Sequence, residues 1–375
     1  MIRRFIPQAL CALLVATVLA GVFFNRYALE ISNFNDEVRS WVVGNGWKRQ
    51  EFSAEGIPYG TTPRHEERFV SPFYVVHYGL IYSEKCRSRV GAGAYHWLED
   101  ATVKDWPHPP GSSLAMFRSS ADWVVRNIRE DARGNAHLFY DFEWFYRGYP
   151  EGKLVPPWWS GLTDAHAITL LLRAEDCFGG GEYEQAASAL YRSTITPVSL
   201  GGSLVSFNGR PWIEEYVDPR AKDTDMSRVF NGMAYAYFGL KAYEQAHGID
   251  GLEKELRASI IANVSAFDRG YWSDYDAIGS AANIKYHRVN LALIEDPRLY
   301  SSELDGVIRR WSVGRTLSGF FFVLQGPASI GKWHFIATWA LMTFVLWVAL
   351  LAIIVIGQRA ILSRRAGARG MRKQS

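Results

Sequence analysis

Three cysteines in 375 residues are too few for a disulfide-framework fold or a cysteine-rich zinc protein. The histidines are scattered, with no HExxH and no cysteine pair, so no metal-ligand spacing appears and no metal site is expected. GxSxG is missing, which leaves a hydrolase of that kind unsupported. Rossmann and P-loop glycine patterns are missing too, as is any long alternating strand series. Acidic residues are absent from both ends. Residues 1–26 and 333–375 hold nine Lys/Arg and no Asp/Glu, leaving 32 basic against 38 acidic groups, a net of −6, in 27–332. That balance argues against a basic-cleft nucleic-acid binder. At 48% hydrophobic and 21% charged, the chain is neither disordered nor fibrous, and its length allows one large domain or two ordinary ones. Aromatic residues are abundant: 14 Trp, 19 Tyr and 21 Phe. They suit either sugar-binding clefts or a plain core.

Two runs read as membrane spans. Residues 5–24 carry no charge and are long enough for a bilayer core of about 30 Å at 1.5 Å per residue. Arg3 and Arg4 precede them, which places the N-terminus in the cytoplasm. The competing reading is a cleaved signal peptide with a site near Val18-Leu19-Ala20. Residues 334–357 form the second apolar run, followed by a tail with six basic residues and no acid. Both termini are thus expected inside, with the main domain extracytoplasmic. The organisation expected is a 1–26 anchor, a 27–69 linker with a small hairpin, a 70–320 domain, a 333–357 span and a 358–375 basic tail.

The central region reads as mainly α. Amphipathic helices are expected over 71–86, 113–130, 162–177, 183–194, 225–247, 252–267, 286–295 and 302–316, with Gly179-Gly180-Gly181 as a stop. Residues 136–149 and 201–216 read as strands or hairpins, and Asn208-Gly209 is a turn signal in the second. Residues 44–47 and 56–60 are turn-rich. Helix pairs joined by short hairpins suggest an α/α toroid, an incomplete α/α barrel, flanked by the two spans. Cys11 falls in the first span. Cys86 and Cys177 each end a predicted helix and in such a ring lie on one rim, so a bridge between them competes with two buried thiols.

Several tyrosines stand in unusual company. Trp212-Ile213-Glu214-Glu215-Tyr216 sets two adjacent carboxylates beside a tyrosine, and buried carboxylates need partners. A polar aromatic loop carries Tyr275. Lys285-Tyr286-His287-Arg288 opens a helix with three cations able to lower the Tyr286 pKa and stabilise a phenolate. The alternative for each is a core hydroxyl with an ordinary hydrogen bond.

Read together, WWSGLTDAHAITLLLRA (158–174), EQAASALYRSTI (184–195), the glycine pair at 201–202, WIEEY (212–216), VFNGMAYAYFGL (229–240), FDRGYWSDYDA (267–277) and KYH (285–287) resemble, in order and spacing, the C-terminal catalytic domain of D-glucuronyl C5-epimerases. VSPFYVVHYGLIYSE (70–84) resembles that domain's first helix. The resemblance implies an α/α toroid acting on uronic acids within polysaccharides. It places the proton-transfer residues at Glu215, Tyr216, Tyr275 and Tyr286. Two departures stand out: Val217 follows Glu-Tyr where proline is usual, and Asn290 stands where a second histidine is usual.

The chemistry so implied is C5 epimerisation of hexuronate residues, of the D-glucuronate to L-iduronate type, in an exported acidic polysaccharide. A proton leaves the carbon α to a carboxylate and another returns on the opposite face. That needs a base, an acid and positive charge at the carboxylate, and no cofactor. Glu215 and Tyr286 take opposing roles, in either order, with Tyr216 and Tyr275 assisting. Arg288, Arg220 and Arg228 are candidates for the carboxylate, and His287 and Trp212 for substrate contacts. A uronate lyase, or a membrane protein that binds exported glycan without reacting, remains as an alternative.

Overall fold

The structure, a computed structural model, describes residues 2–42, 51–60, 68–90, 113–222, 225–326, 328 and 330–371. The turn-rich stretch 44–47 lies outside them. The α-helices among the described residues are, in chain order, α1 (Ile2–Arg26), α2 (Ala28–Val42), α3 (Pro72–Tyr82), α4 (Ser113–Asn127), α5 (Gly161–Phe178), α6 (Glu182–Thr194), α7 (Phe230–His247), α8 (Glu253–Asn263), α9 (Ile284–Glu295), α10 (Asp305–Thr316), α11 (Ser318–Gln325) and α12 (Ile330–Met371). The strands are β1 (Ile128–Glu130), β2 (Ala136–Tyr140), β3 (Trp144–Phe145), β4 (Lys153–Leu154), β5 (Trp158–Trp159), β6 (Leu204–Phe207) and β7 (Arg210–Ile213). By packing, the chain divides into Met1–Arg39 with Gly314–Ser375, and Ser40–Val313.

In the second unit, α5 is the central element. It is buried from Gly161 to Ala174, its polar Asp164, His166 and Arg173 included, so it is packed on several sides. Ser160 caps it by accepting from the Thr163 amide. Helix α7 crosses α5 at Gly239, where a Cβ would overlap the Ala165 carbonyl, so glycine sets the distance of approach. Strand β2 is tied to the start of α5 by Asp164, which meets His137 Nδ1 at 2.8 Å and accepts from the Leu138 amide at 3.0 Å, all fully buried. The sheets are small and antiparallel: β1-β2-β5, β3-β4 and β6-β7. Asn208 and Gly209 turn the β6–β7 hairpin at φ 52° and 75°, the two positive values that a tight two-residue turn requires.

Several boundaries differ from the sequence reading. The helix expected over 113–130 ends at Asn127, because Ile128–Glu130 pair with β2 instead. That expected over 71–86 gives way after Tyr82 to a single 3-10 turn. The helix expected from 225 begins at Phe230. Arg228 stands at φ 50°, outside the helical region, and its amide donates to Glu214. Cys86 and Cys177 are joined by a disulfide, with Cα atoms 6.0 Å apart.

In the first unit, two helices are long and apolar enough to cross a membrane, within Ile6–Arg26 and Lys332–Ile361. They pack together: Phe24 lies 4.4 Å from Phe335, ring to ring, and Trp347 Nε1 donates to the Ala9 carbonyl at 3.0 Å.

Candidate active site

The β6–β7 hairpin delivers the paired carboxylates. Glu214 is locked in the core: its amide donates to the Ser203 carbonyl at 2.8 Å, and its own carbonyl accepts from Gly161 at 3.2 Å. Its carboxylate accepts from Ser227 Oγ and from the Arg228 amide, both at 3.1 Å, with Arg228 Nη1 3.7 Å away. The next residue, Glu215, lies on the bend after β7 and lines a cavity of about 220 Å³ with Tyr216, Lys285 and Tyr286. Its Oε2 is buried without a hydrogen-bond partner and rests on Gly232 of α7, where any Cβ would overlap it.

Three tyrosines surround this carboxylate. The Tyr216 and Tyr275 hydroxyls lie 3.2 Å apart, and a further side-chain hydrogen bond joins Tyr275 to Tyr286. The Tyr275 and Tyr286 rings are 4.7 Å apart. Tyr286 sits in the first turn of α9, its amide capped by Asn283 Oδ1 at 2.9 Å. Tyr275 is on a loop that α7 and α9 both grip. Its carbonyl accepts from the Phe230 amide at 3.1 Å, and Asn290 Nδ2 donates to the Asp274 carbonyl at 3.0 Å. Tyr149 holds Tyr216 from behind by donating to its carbonyl. The cavity walls are largely aromatic. Tyr140 stacks on Trp158 at 4.0 Å, and Phe73, Tyr74 and Trp144 complete the lining on that side.

Burial dominates the electrostatics. It pushes the Glu215 carboxyl up to about 8; the Tyr216 hydroxyl works against the shift, while Glu214 and Asp276 add to it. Glu214 is raised to about 7 by burial, with Arg228 opposing. The Tyr216, Tyr275 and Tyr286 phenols are all raised, first by burial and next by the charge of Glu215. The cluster therefore holds neutral phenols around a carboxyl whose proton is exchangeable near neutral pH. This reverses the sequence expectation for Tyr286. The cations beside it in the chain do not lower its pKa, because a buried ring next to a carboxylate outweighs them.

The structure brings Glu215, Tyr216, Tyr275 and Tyr286 together, but the substrate-contact candidates go elsewhere. His287 is fully buried and stacks on Trp272 at 4.0 Å. The Ser273 amide donates to its Nδ1 at 3.1 Å, so Nε2 carries the proton toward the Trp311 carbonyl, also at 3.1 Å. It fastens the Tyr275 loop to the core and does not face the cavity. Trp212 is fully buried and stacked on Phe267 at 5.7 Å. Arg228 balances Glu214 and donates to the Met226 and Ser206 carbonyls, both at 3.2 Å. Arg220 is bound to Asp218 and to the Lys153 carbonyl. Arg288 is not part of the cavity lining. Among the described residues, the cation lining the cavity is Lys285, which the sequence reading named beside Tyr286 but not as a candidate for the carboxylate. Tyr146 was also missed: it donates to Asp276 Oδ2 at 2.5 Å, with its ring 5.0 Å from Tyr216. Its aromatic strand was noted in the sequence, but nothing local to it points at Asp276.

This is a mainly helical domain presenting a carboxyl–tyrosine cluster in an aromatic cavity. Residues 134–311 match the D-glucuronyl C5-epimerase C-terminus family, a span that holds every member of the cluster. The match spans a little under half of the chain and supports the D-glucuronyl C5-epimerase family for that region. A D-glucuronyl C5-epimerase of Caenorhabditis elegans is 30% identical over 203 residues, 48% of this chain and 31% of that protein's length. Among solved structures, an endo-β-1,4-glucanase from Acetobacter xylinum aligns over 75% of this chain and 100% of its own with 16% identity and a TM-score of 0.38, which carries no functional weight.

Proposed function

We propose that this chain epimerises hexuronate residues at C5, of the D-glucuronate to L-iduronate type, within an exported acidic polysaccharide. One observation carries the reading: Glu215 and Tyr286, the residues that the family resemblance singles out for proton transfer, line a single aromatic-walled cavity with Tyr216. Glu215, once ionised, is the better base, because a carboxyl raised to about 8 matches its task near neutral pH. It removes the C5 proton, and the electron pair moves toward the C6 carboxylate to form an enediolate. Tyr286, a neutral phenol, returns a proton to C5 on the opposite face, and the electron pair moves back from the carboxylate. Tyr216 and Tyr275 relay the proton between the two through the hydroxyl pair at 3.2 Å. No atom or electron is gained or lost overall, so the cycle requires no redox partner.

The same proposal includes the finer parts of the sequence reading. These are ring closure of the helices into a toroid over 70–320, and two spans with both termini cytoplasmic and the catalytic unit outside. The test is incubation of the full chain, in detergent, with uronate polymers in deuterated water. Deuterium at C5 with an intact chain supports the reading. Unsaturated uronate ends would replace it with a lyase, and no exchange on any uronate polymer with a binding-competent protein would replace it with a glycan binder.

A further inference from the structure

We infer that the Asn231 carboxamide hydrogen-bonds a ring hydroxyl of the bound hexuronate, so that the cavity selects sugars with that hydroxyl free. This rests on the proposed uronate reaction and adds to it a residue that reads the ring rather than its acid group. Asn231 lines the cavity with Glu215 and is 5% exposed. Its Oδ1 is buried and has no hydrogen-bond partner. Buried side-chain acceptors are almost always satisfied, because leaving one unpaired is costly. A leucine of similar volume would carry no such cost. An amide at this position is accounted for by a ligand that completes it. Ser160 and Thr163, also in the lining, are already used: Ser160 Oγ accepts from the Thr163 amide at 3.2 Å, and the Thr163 hydroxyl meets that of Tyr140 at 2.7 Å.

The missing partner is a donor. An ionised hexuronate carboxylate has no proton to give and does not complete Oδ1, whereas each ring hydroxyl is both donor and acceptor. A hydroxyl also pairs with the amide in either of the two orientations that a half-turn of its plane exchanges. The position of Asn231 ties this contact to the reacting cluster. It stands in the first turn of α7, preceded by Phe230, whose amide donates to the Tyr275 carbonyl at 3.1 Å. It is followed by Gly232, on which Glu215 Oε2 rests. The backbone carrying the amide is thus fixed on one side to the Tyr275 loop and on the other to the base. A neutral side chain suits this place, since another anion near Glu215 would raise its pKa further and a cation would lower it. In a polymer linked through C1 and C4, the hydroxyls left for Asn231 are those on C2 and C3.

The test compares the full wild-type chain, in detergent, with Asn231→Leu, which keeps the side-chain volume and removes both polar groups. Equilibrium binding is read for a uronate oligosaccharide and for its 2-deoxy and 3-deoxy forms, beside C5 deuterium exchange on the parent. In wild type one deoxy form should bind about 10- to 100-fold more weakly than the parent, the scale of a buried hydrogen bond whose protein partner is left unpaired. In Asn231→Leu the parent should weaken by a comparable factor and the deoxy penalty should vanish, the non-additivity of two groups in contact. Urea unfolding of Asn231→Leu should show no loss of stability, because the variant deletes an unsatisfied group; if it does not fold, Asn231→Ala takes its place. If neither deoxy form binds wild type more weakly than the parent, or the penalty persists in the variant, the inference falls. That failure leaves the epimerase reading standing where wild type exchanges deuterium. If the penalty vanishes in Asn231→Leu but wild type shows no exchange, the hydroxyl contact stands and the epimerase reading falls. A wild-type chain that binds no uronate oligosaccharide overturns both.

Discussion

Gly232 leaves the space that the Glu215 carboxylate fills. The two residues come from different elements, one inside α7 and one at the end of the β6–β7 hairpin, yet a Cβ on the first would coincide with Oε2 of the second. Gly232 lies in the first turn of α7, where intrinsic propensity still favours alanine, by up to about 1 kcal/mol. The glycine is therefore kept against local preference, for the carboxylate's sake.

Gly232→Ala tests this. The clash includes Glu215 Cβ as well as its carboxylate, so a rotamer change alone does not relieve it. Overpacking of this kind costs about 1–3 kcal/mol, partly offset by the gain in helix propensity. Urea unfolding should show a modest loss of stability, while C5 exchange falls by far more than stability explains. A variant that exchanges at the wild-type rate would mean that the carboxylate position is unimportant.

Removing single functional groups should separate the roles. Tyr286→Phe deletes one hydroxyl at the cavity edge and should leave unfolding unchanged, but lower exchange by about 100-fold or more, the scale of a lost general acid. Glu215→Gln should do the same by removing the base. If Tyr286→Phe exchanges normally while Tyr216→Phe or Tyr275→Phe does not, the donor is misassigned although the cluster remains the site.

The sequence carried much of this, for physical reasons. Apolar runs at both ends, Asn208-Gly209 at the hairpin tip and the order of the motifs each encode local or family-wide information. What it did not carry was direction. Residues 285 and 287 lie about 200° apart around a helix of 3.6 residues per turn. One helix thus sends Lys285 to the cavity and His287 into the core, and adjacency in sequence grouped them wrongly. Burial was equally invisible. The Tyr286 pKa moves up because the folded chain excludes water from the ring, which no neighbouring residue name reveals. Tyr146 and Asp276 meet across 130 positions, beyond any local pattern. Asn290, an apparent departure, turns out to hold the Tyr275 loop.

The disulfide gives a separate test. Cys86 and Cys177 close a loop with a sequence separation of 91, while Cys11 is free. Denatured, unreduced protein should titrate as one thiol. Replacing both cysteines by serine should destabilise the Ser40–Val313 unit by up to about 4.6 kcal/mol on the chain-entropy scale, read from urea unfolding. Three titratable thiols would overturn the pairing.

The pH dependence follows from the raised carboxyl. Glu215 titrates near 8 in the folded protein against an ordinary 4.5, so folding favours its protonated form. Its contribution to stability is greatest below about 4.5 and declines as pH rises through the interval to 8, because the unfolded chain ionises first. At about 1.4 kcal/mol per pKa unit, the loss amounts to a few kcal/mol. Activity runs the other way. A base must be ionised, so exchange should rise with pH on a limb whose midpoint lies near 8, belonging jointly to Glu215 and its neighbour Glu214. The phenols set no opposing limb in this range, since all three stay neutral well beyond it. Rate and stability should therefore cross, with exchange still climbing where the fold begins to weaken. Glu215→Gln should abolish the activity limb and flatten the stability decline together. An exchange rate that falls as pH rises through 8 would instead make Glu215 the acid and reverse the roles assigned to it and Tyr286.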